Sequence, residues 1–388
     1  MSDLIGLVIT FFPLFIILLL ANAAERARKR DLQAASLVRE ESVSHQDVFD
    51  DIQGAPATTA AIQRPDDTAT IFRVLAYLAL GAIYGSVILG ALGLMAYTTI
   101  SRTQPDLVAV NPLGTMVDNP ALLAWGLLLA ALAGLLLLLR PVRRFCARFI
   151  PLDAGSPVHA VALSMTMLVV INMLITIGVG LSNLSTIVTE AQKAGTQVTS
   201  FAGIWGQSIL MALLGFVGIG WPLRRGGREA LSRLGLVWPS LRQVLLGVGL
   251  AFVMVGVVLA IQVVAAALGI AADADVEELT EQLLGPLFTS WWGILTLGLA
   301  AALGEETLMR GAAQPRLGLL FTAALFALLH SNYGITLSTL IVFLLGLILG
   351  LVRIRHNTST AMVLHATYNT ILGIMAYLSI DLLQQISR

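Results

Sequence analysis

Long apolar runs recur along the whole chain, each closed by a short cluster of polar or charged residues. Runs of about 17 to 25 apolar residues are long enough to cross a bilayer as helices. Reading the chain this way gives about ten candidate spans, roughly residues 4–22, 71–99, 121–139, 156–182, 203–222, 242–268, 286–309, 316–331, 335–352 and 358–380. In hydrocarbon the backbone must satisfy its own hydrogen bonds, so the pattern predicts an all-α, polytopic helical membrane protein. Composition agrees with it: 57% of the residues are hydrophobic, 12% are charged and the mean hydropathy is +0.86.

The charges supply an orientation. No basic residue precedes the first run, and Arg26, Arg28, Lys29 and Arg30 follow it, which reads as a membrane anchor with its N-terminus outside rather than a signal peptide. Threading ten spans from that start places both termini outside. It leaves only Arg102, Lys193 and Arg388 of the 23 basic residues on the outer side, together with the acidic loop that holds Asp273, Asp275, Glu277, Glu278 and Glu281. Shifting the count by one span reverses this bias, so the positive-inside rule selects the N-out, C-out arrangement. The expected location is a cell membrane, multi-pass, of prokaryotic plasma-membrane character, with the lipid bilayer as solvent and no nucleic acid as partner.

Four regions differ in character. Residues 1–22 form the anchor. Residues 23–70 read as a cytoplasmic linker that opens with a charged helical piece from Glu25 to Glu41 and continues through a Thr, Ala, Asp and Pro-containing stretch of weak structure. Residues 71–241 carry almost no ionisable group inside their spans and read as a transmembrane scaffold ending in an arginine- and tryptophan-containing interfacial segment. Residues 242–388 hold the intramembrane polar groups. The lone Cys146 excludes an intrachain disulfide and lies in a basic stretch, as an interfacial thiol would.

Three constellations stand out in that last region. Glu305, Glu306 and Arg310 follow the spacing Glu-Glu-x-x-x-Arg; on a helix Glu306 and Arg310 are one turn apart and can pair, which rotates Glu305 about 100° away toward a reacting centre. Phe326 and His330 are one turn apart, and so are His365 and Asn369. Each has an ordinary structural explanation: a self-neutralising ion pair, an aromatic that only packs, or His and Asn as glue between helices. Their coincidence argues otherwise, because a charge at a helix centre costs about 2.5 to 3.5 kcal/mol on insertion scales. Only two of the five histidines, His330 and His365, lie inside spans, and both belong to these patterns.

The order GEETLMRG, FALLH, HATYN resembles the CPBP family of intramembrane proteases, which includes the type II CaaX prenyl endopeptidases and the bacteriocin-processing, Abi-like proteins. The resemblance covers about residues 285–380, and Gly311, Gly346 and Gly350 also agree with the family's habit, while Met309 stands where an aromatic is common. It implies that residues 242–388 are a catalytic transmembrane domain with an intramembrane cavity, and that the substrate is a membrane-associated peptide or protein. It further implies that Glu305 activates water with help from His330, that His365 and Asn369 stabilise the oxyanion, and that Glu306, Arg310 and Phe326 support them. A second reading within the family is metallic, with zinc or another divalent metal held by Glu305, His330 and His365. The absence of a short HExxH-type chelate favours the glutamate-activated water.

Depth supports the grouping. Counting about 1.5 Å per residue from the cytoplasmic turns puts Glu305 at about 13 Å, His365 at about 12 Å, Asn369 at about 18 Å and His330 at about 21 Å. His330 joins the others only if its helix tilts or sits low. Two alternatives are carried forward: a proton-coupled transporter or channel, which the missing internal repeat disfavours, and a catalytically silent immunity or scaffold protein of the same fold, which the intact motifs disfavour.

Overall fold

The computed structural model describes residues 2–49, 67–104, 116–195, 199–270 and 273–386. Every regular element among them is helical, and eight helices are long and apolar enough to cross a membrane, or nine if one sharply bent pair is counted as a span. The first half supplies α1 (Ser2–Phe49), α2 (Thr68–Thr103), α3 (Pro120–Leu137), α4 (Arg140–Cys146), α5 (Pro157–Val179), α6 (Leu181–Lys193) and α7 (Phe201–Ile219). The second supplies α8 (Gly227–Leu234), α9 (Leu241–Ala267), α10 (Ala274–Phe288), α11 (Trp291–Glu306), a π-helical segment (Thr307–Ala313), α12 (Gln314–Leu317), α13 (Leu319–Leu329), α14 (Leu337–Arg355) and α15 (Thr358–Ile386).

Local chemistry sets the ends. Asn119, Ser156, Ser200 and Ser290 each accept a backbone N–H from the first turn that follows them, and Ser240 with Gln243 forms a reciprocal capping box. Two boundaries differ from the expectation. The helix of the anchor does not stop at residue 22 but continues to Phe49, with the charged piece from Glu25 extending the same helix; the linker residues 50–66 lie outside the described residues. Nor is 316–331 a full span. A positive-φ Gly318 divides it into the end of the short α12 and an 11-residue α13, which reduces the expected ten crossings. Antiparallel to α13 runs α14, with Gly346 against Ala323 and Gly350 against Leu319. The pair therefore returns the chain to the end of the bundle it left.

Two hydrophobic cores share α5. One gathers Ile17 and Leu18 of α1, Leu80 and Tyr84 of α2, Ala130 and Ala131 of α3, Val161 of α5 and Leu214 and Val217 of α7. The other gathers α9, α13, α14 and α15 around Leu325, Phe326, Leu345, Leu349, Leu364 and Tyr368, with Leu163 of α5 at its edge. By contrast, Leu245, Phe252, Val253 and Val263 of α9 are exposed on the outside of the bundle, as lipid-facing side chains are.

Buried polar groups tie the first core to the rest. The Asn22 amide donates to Leu18 O and Val217 O at 2.8 Å, and Arg224 Nε donates to Asn22 Oδ1 at 2.7 Å, so α1 is fastened to α7 and the turn after it. Substituting Asn22→Leu is expected to lower stability by about 1–3 kcal/mol, because it removes the acceptor of Arg224 Nε and the bond that joins α1 to Val217 O. Thermal unfolding of the detergent-purified protein measures this, and a loss near zero would mean that the network is not stabilising.

Candidate active site

The polar cluster is assembled by α11, the π-helical segment, α13 and α15. Trp291 to Leu317 forms one rod, bent 114° from α10 and widened at Thr307–Ala313 into a π-helix, a rare form frequently found at functional sites. Its close approach to α15 and α7 depends on glycine. A Cβ on Gly298 would lie 2.7 Å from Ala366 O of α15, and one on Gly304 would lie 2.8 Å from the Ser208 backbone of α7. Only hydrogen fits at these two contacts.

Within this rod Glu306 and Arg310 are both buried, and their ion pair spans 3.4 Å from Arg310 Nε to Glu306 Oε2. The pairing expected from the one-turn spacing is present, and further contacts surround it. Arg310 Nη2 donates to Gly346 O at 3.4 Å, and Gln314 Nε2 donates to Gly350 O at 2.9 Å, so the two glycines of α14 offer carbonyls as well as room. The guanidinium lies 4.1 Å over the Phe326 ring, a cation–π contact worth about 2 kcal/mol when desolvated. On the other side Glu306 Oε1 accepts from His365 Nδ1 at 2.9 Å. This last bond joins residues 59 apart in sequence and has no sequence signal.

His365 is therefore oriented by Glu306, and its other nitrogen, Nε2, faces Glu305 Oε2 at 4.0 Å. That gap is too long for a direct hydrogen bond. Glu305 retains 22% side-chain exposure, yet its Oε2 is buried without a hydrogen-bond partner. The two carboxylates thus divide as the spacing suggested: Glu306 is committed to Arg310 and His365, whereas Glu305 is left uncommitted.

Phe326 links the remaining histidine to this group. Its ring is edge-on to His330 with centroids 4.9 Å apart, and edge-on to His365 at 5.9 Å. Because α13 starts only at Leu319, it climbs about 17 Å to His330 at 1.5 Å per residue, less than the sequence count assumed. His330 ends the helix, and its Nδ1–H donates to Phe326 O at 2.9 Å, leaving Nε2 as a lone pair. Tyr333 stacks on it at 5.9 Å, and Asn172 of α5 donates to the neighbouring Ser331 Oγ at 2.8 Å. These two neighbours were not legible in the motifs. Asn369, one turn beyond His365, is half-buried, and its amide makes no hydrogen bond among the described residues.

The expected metal set is not gathered. No group of three His, Cys, Asp or Glu side chains placed to hold a metal ion occurs among the described residues, so Glu305, His330 and His365 do not form a chelate in this arrangement. Each imidazole spends Nδ1, one on a carboxylate and one on a carbonyl, and keeps Nε2 free, an orientation that metal-bound histidines also show. Nor does the cluster border the open pocket of about 710 Å³ at the start of α9, lined by Ser240, Arg242, Gln243, Leu245, Leu246 and His356. The cluster reaches its surroundings through the partly exposed Glu305, His330 and Asn369.

The helix contact makes the geometry testable. Gly298→Leu is expected to push α11 from α15 and to widen the Glu305 to His365 gap. A displacement of about 1 Å in such a site costs on the order of 10²-fold in rate. Activity retained within twofold, in a protein that elutes and unfolds like wild type, would contradict this role for the contact.

Residues 287–371 match the family model described as Rce1-like, Type II CAAX prenyl endopeptidase Rce1-like. The matched segment is less than a quarter of the chain and contains all seven residues of the cluster. This is consistent with the CPBP resemblance and likens the segment to CAAX-type intramembrane proteases. No curated protein and no solved structure matches the chain.

Proposed function

We propose that the protein is an intramembrane endopeptidase that hydrolyses a peptide bond in a membrane-associated peptide or protein, with Glu305 as general base. A water held between Glu305 and the free Nε2 of His330 gives its proton to Glu305 as its oxygen attacks the scissile carbonyl carbon. The oxyanion that forms is met by the Asn369 amide and by His365 Nε2–H. His365 has a proton on that nitrogen only as the imidazolium, because its Nδ1–H is already donated to Glu306. Collapse breaks the C–N bond, and Glu305 returns its proton to the leaving amine.

The observation that best supports this reading is the contrast within the glutamate pair. Glu306 accepts from His365 through Oε1 and faces Arg310 through Oε2, without a hydrogen bond there, whereas Glu305, beside the same imidazole, has a buried Oε2 with neither a hydrogen bond nor an arginine against it. A structural ion-pair cluster has no need of the second carboxylate, which adds a desolvated charge and no bond. A base poised for a substrate does. The family match makes peptide hydrolysis the reaction to test first.

Comparative peptidomics of membranes carrying wild-type or Glu305→Gln protein tests the activity and finds the substrate together. Peptides or trimmed membrane proteins that depend on Glu305 are expected, and identical peptidomes under conditions where the protein is expressed would overturn the proposal. Elemental analysis of purified protein decides the metal question independently. Stoichiometric zinc that is lost in His365→Ala would replace the glutamate mechanism with a metallic one.

A further inference from the structure

Three segments that are far apart in sequence converge at one end of the bundle: α8 with the residues after it, α12, and the last turn of α14. Gly311 packs on Leu234 of α8, and Thr358 N and Oγ1, just beyond α14, donate to Gly235 O and Leu234 O. Gly235, in the left-handed region, comes so near Arg353 that a Cβ there would lie 2.8 Å from the guanidinium carbon. Residues 223–241, 311–318 and 353–357 together carry seven arginines and a single acid, Glu229. That acid is taken by Arg225 at 3.1 Å.

Arg233, Arg316 and Arg353 are consequently left with no carboxylate partner among the described residues. The one hydrogen bond of Arg233 is to Gly311 O at 3.3 Å, and Arg353 Nε is buried with no partner at all. Burial pushes Arg233 down to about 10, and Arg316, Arg225 and Arg353 add to the effect by repulsion. Like charges gathered this closely, with one donor buried and unmet, disfavour the fold unless an anion sits among them.

The surroundings indicate which anion. Trp238 is 98% exposed and Leu241 74% exposed beside the cluster in sequence, and Leu320 and Ile354 flank it with exposed apolar side chains. Tryptophan and arginine above exposed aliphatics are the composition of the headgroup level of a membrane. A soluble anion would not call for that apolar rim.

We infer that Arg233, Arg316 and Arg353 form a binding site for the phosphate of an anionic phospholipid headgroup, with the acyl chains lying against the exposed apolar residues of α13 and α14. Guanidinium groups suit this ligand because each presents a fork of donors to phosphate oxygens. The site lies at the base of the rod that carries Glu305 and Glu306, since Arg233 holds the Gly311 carbonyl one residue after Arg310. It does not depend on the proposed peptidase reading.

The test is lipid binding by native mass spectrometry of the full chain in non-ionic detergent. Phosphatidylglycerol, phosphatidylcholine of the same chain length, and inorganic phosphate are titrated separately. Phosphatidylglycerol is expected to bind at least tenfold tighter than phosphatidylcholine. Arg316→Gln, at an exposed position with no ion pair, should fold normally and remove most of that preference, as should Arg353→Gln; Arg316→Lys should keep part of it. Arg144→Gln, at an exposed position on α4, should leave it unchanged. Equal binding of the two lipids, or a preference that survives both glutamine variants, would overturn the site. Inorganic phosphate binding as tightly as phosphatidylglycerol would show a soluble-anion site and overturn the lipid assignment.

Discussion

Glu305→Gln is expected to abolish peptide hydrolysis while the protein stays inserted and folded. Loss of a positioned general base costs about 10² to 10⁴-fold, and an amide cannot accept the proton from water. Folding should survive, because Glu305 makes no hydrogen bond to the protein through its buried oxygen and is partly exposed. His330→Ala should lower the rate in the same way, since it removes the second acceptor for the attacking water. The measurement is cleavage of a Glu305-dependent substrate in reconstituted membranes, with size-exclusion behaviour and melting as controls for folding. Proteolysis at the wild-type rate in Glu305→Gln would sink the mechanism, whatever happened to His330→Ala.

Arg310→Ala is expected to do the opposite kind of damage. It strands Glu306 in a fully buried position, takes the cation from the face of Phe326 and opens the hydrogen bond to Gly346 O. Breaking a buried pair by removing one partner costs about 3–5 kcal/mol, so the variant should be obtained in low yield or melt well below wild type. The double variant Glu306→Gln with Arg310→Met removes both charges at similar volume and should recover a substantial part of that loss. It should remain inactive, because His365 loses the carboxylate that orients it. If Arg310→Ala alone were as stable as wild type, the pair would not be the structural clamp described here.

The contrast between these two residues was partly legible in the sequence. One-turn spacings fix which side chains on a helix are neighbours, so the Glu306 to Arg310 pair and the Phe326 to His330 contact follow from periodicity alone. Contacts between helices follow from nothing local. The Glu306 to His365 bond, the Arg310 guanidinium over Phe326 and the Arg310 and Gln314 bonds to glycine carbonyls depend on how the helices are rotated and how closely they pack. The sequence reading gives His365 as an oxyanion donor or a metal ligand, and the carboxylate behind it gives it an orientation that the motif does not state.

Apolar run lengths and the placement of arginines established by themselves an all-helical membrane chain, and the rarity of charge in hydrocarbon singled out the residues of its candidate site. Transfer free energy acts on each residue where it stands, so a linear text carries it in full. Tertiary structure alone decided that Gly318 delays the start of the helix to His330, and that a π-helical widening carries Arg310 at the junction of three helices. It alone decided that the committed glutamate, Glu306, also orients His365. These outcomes rest on hydrogen bonds and steric contacts between distant segments, and such interactions exist only once the helices have packed.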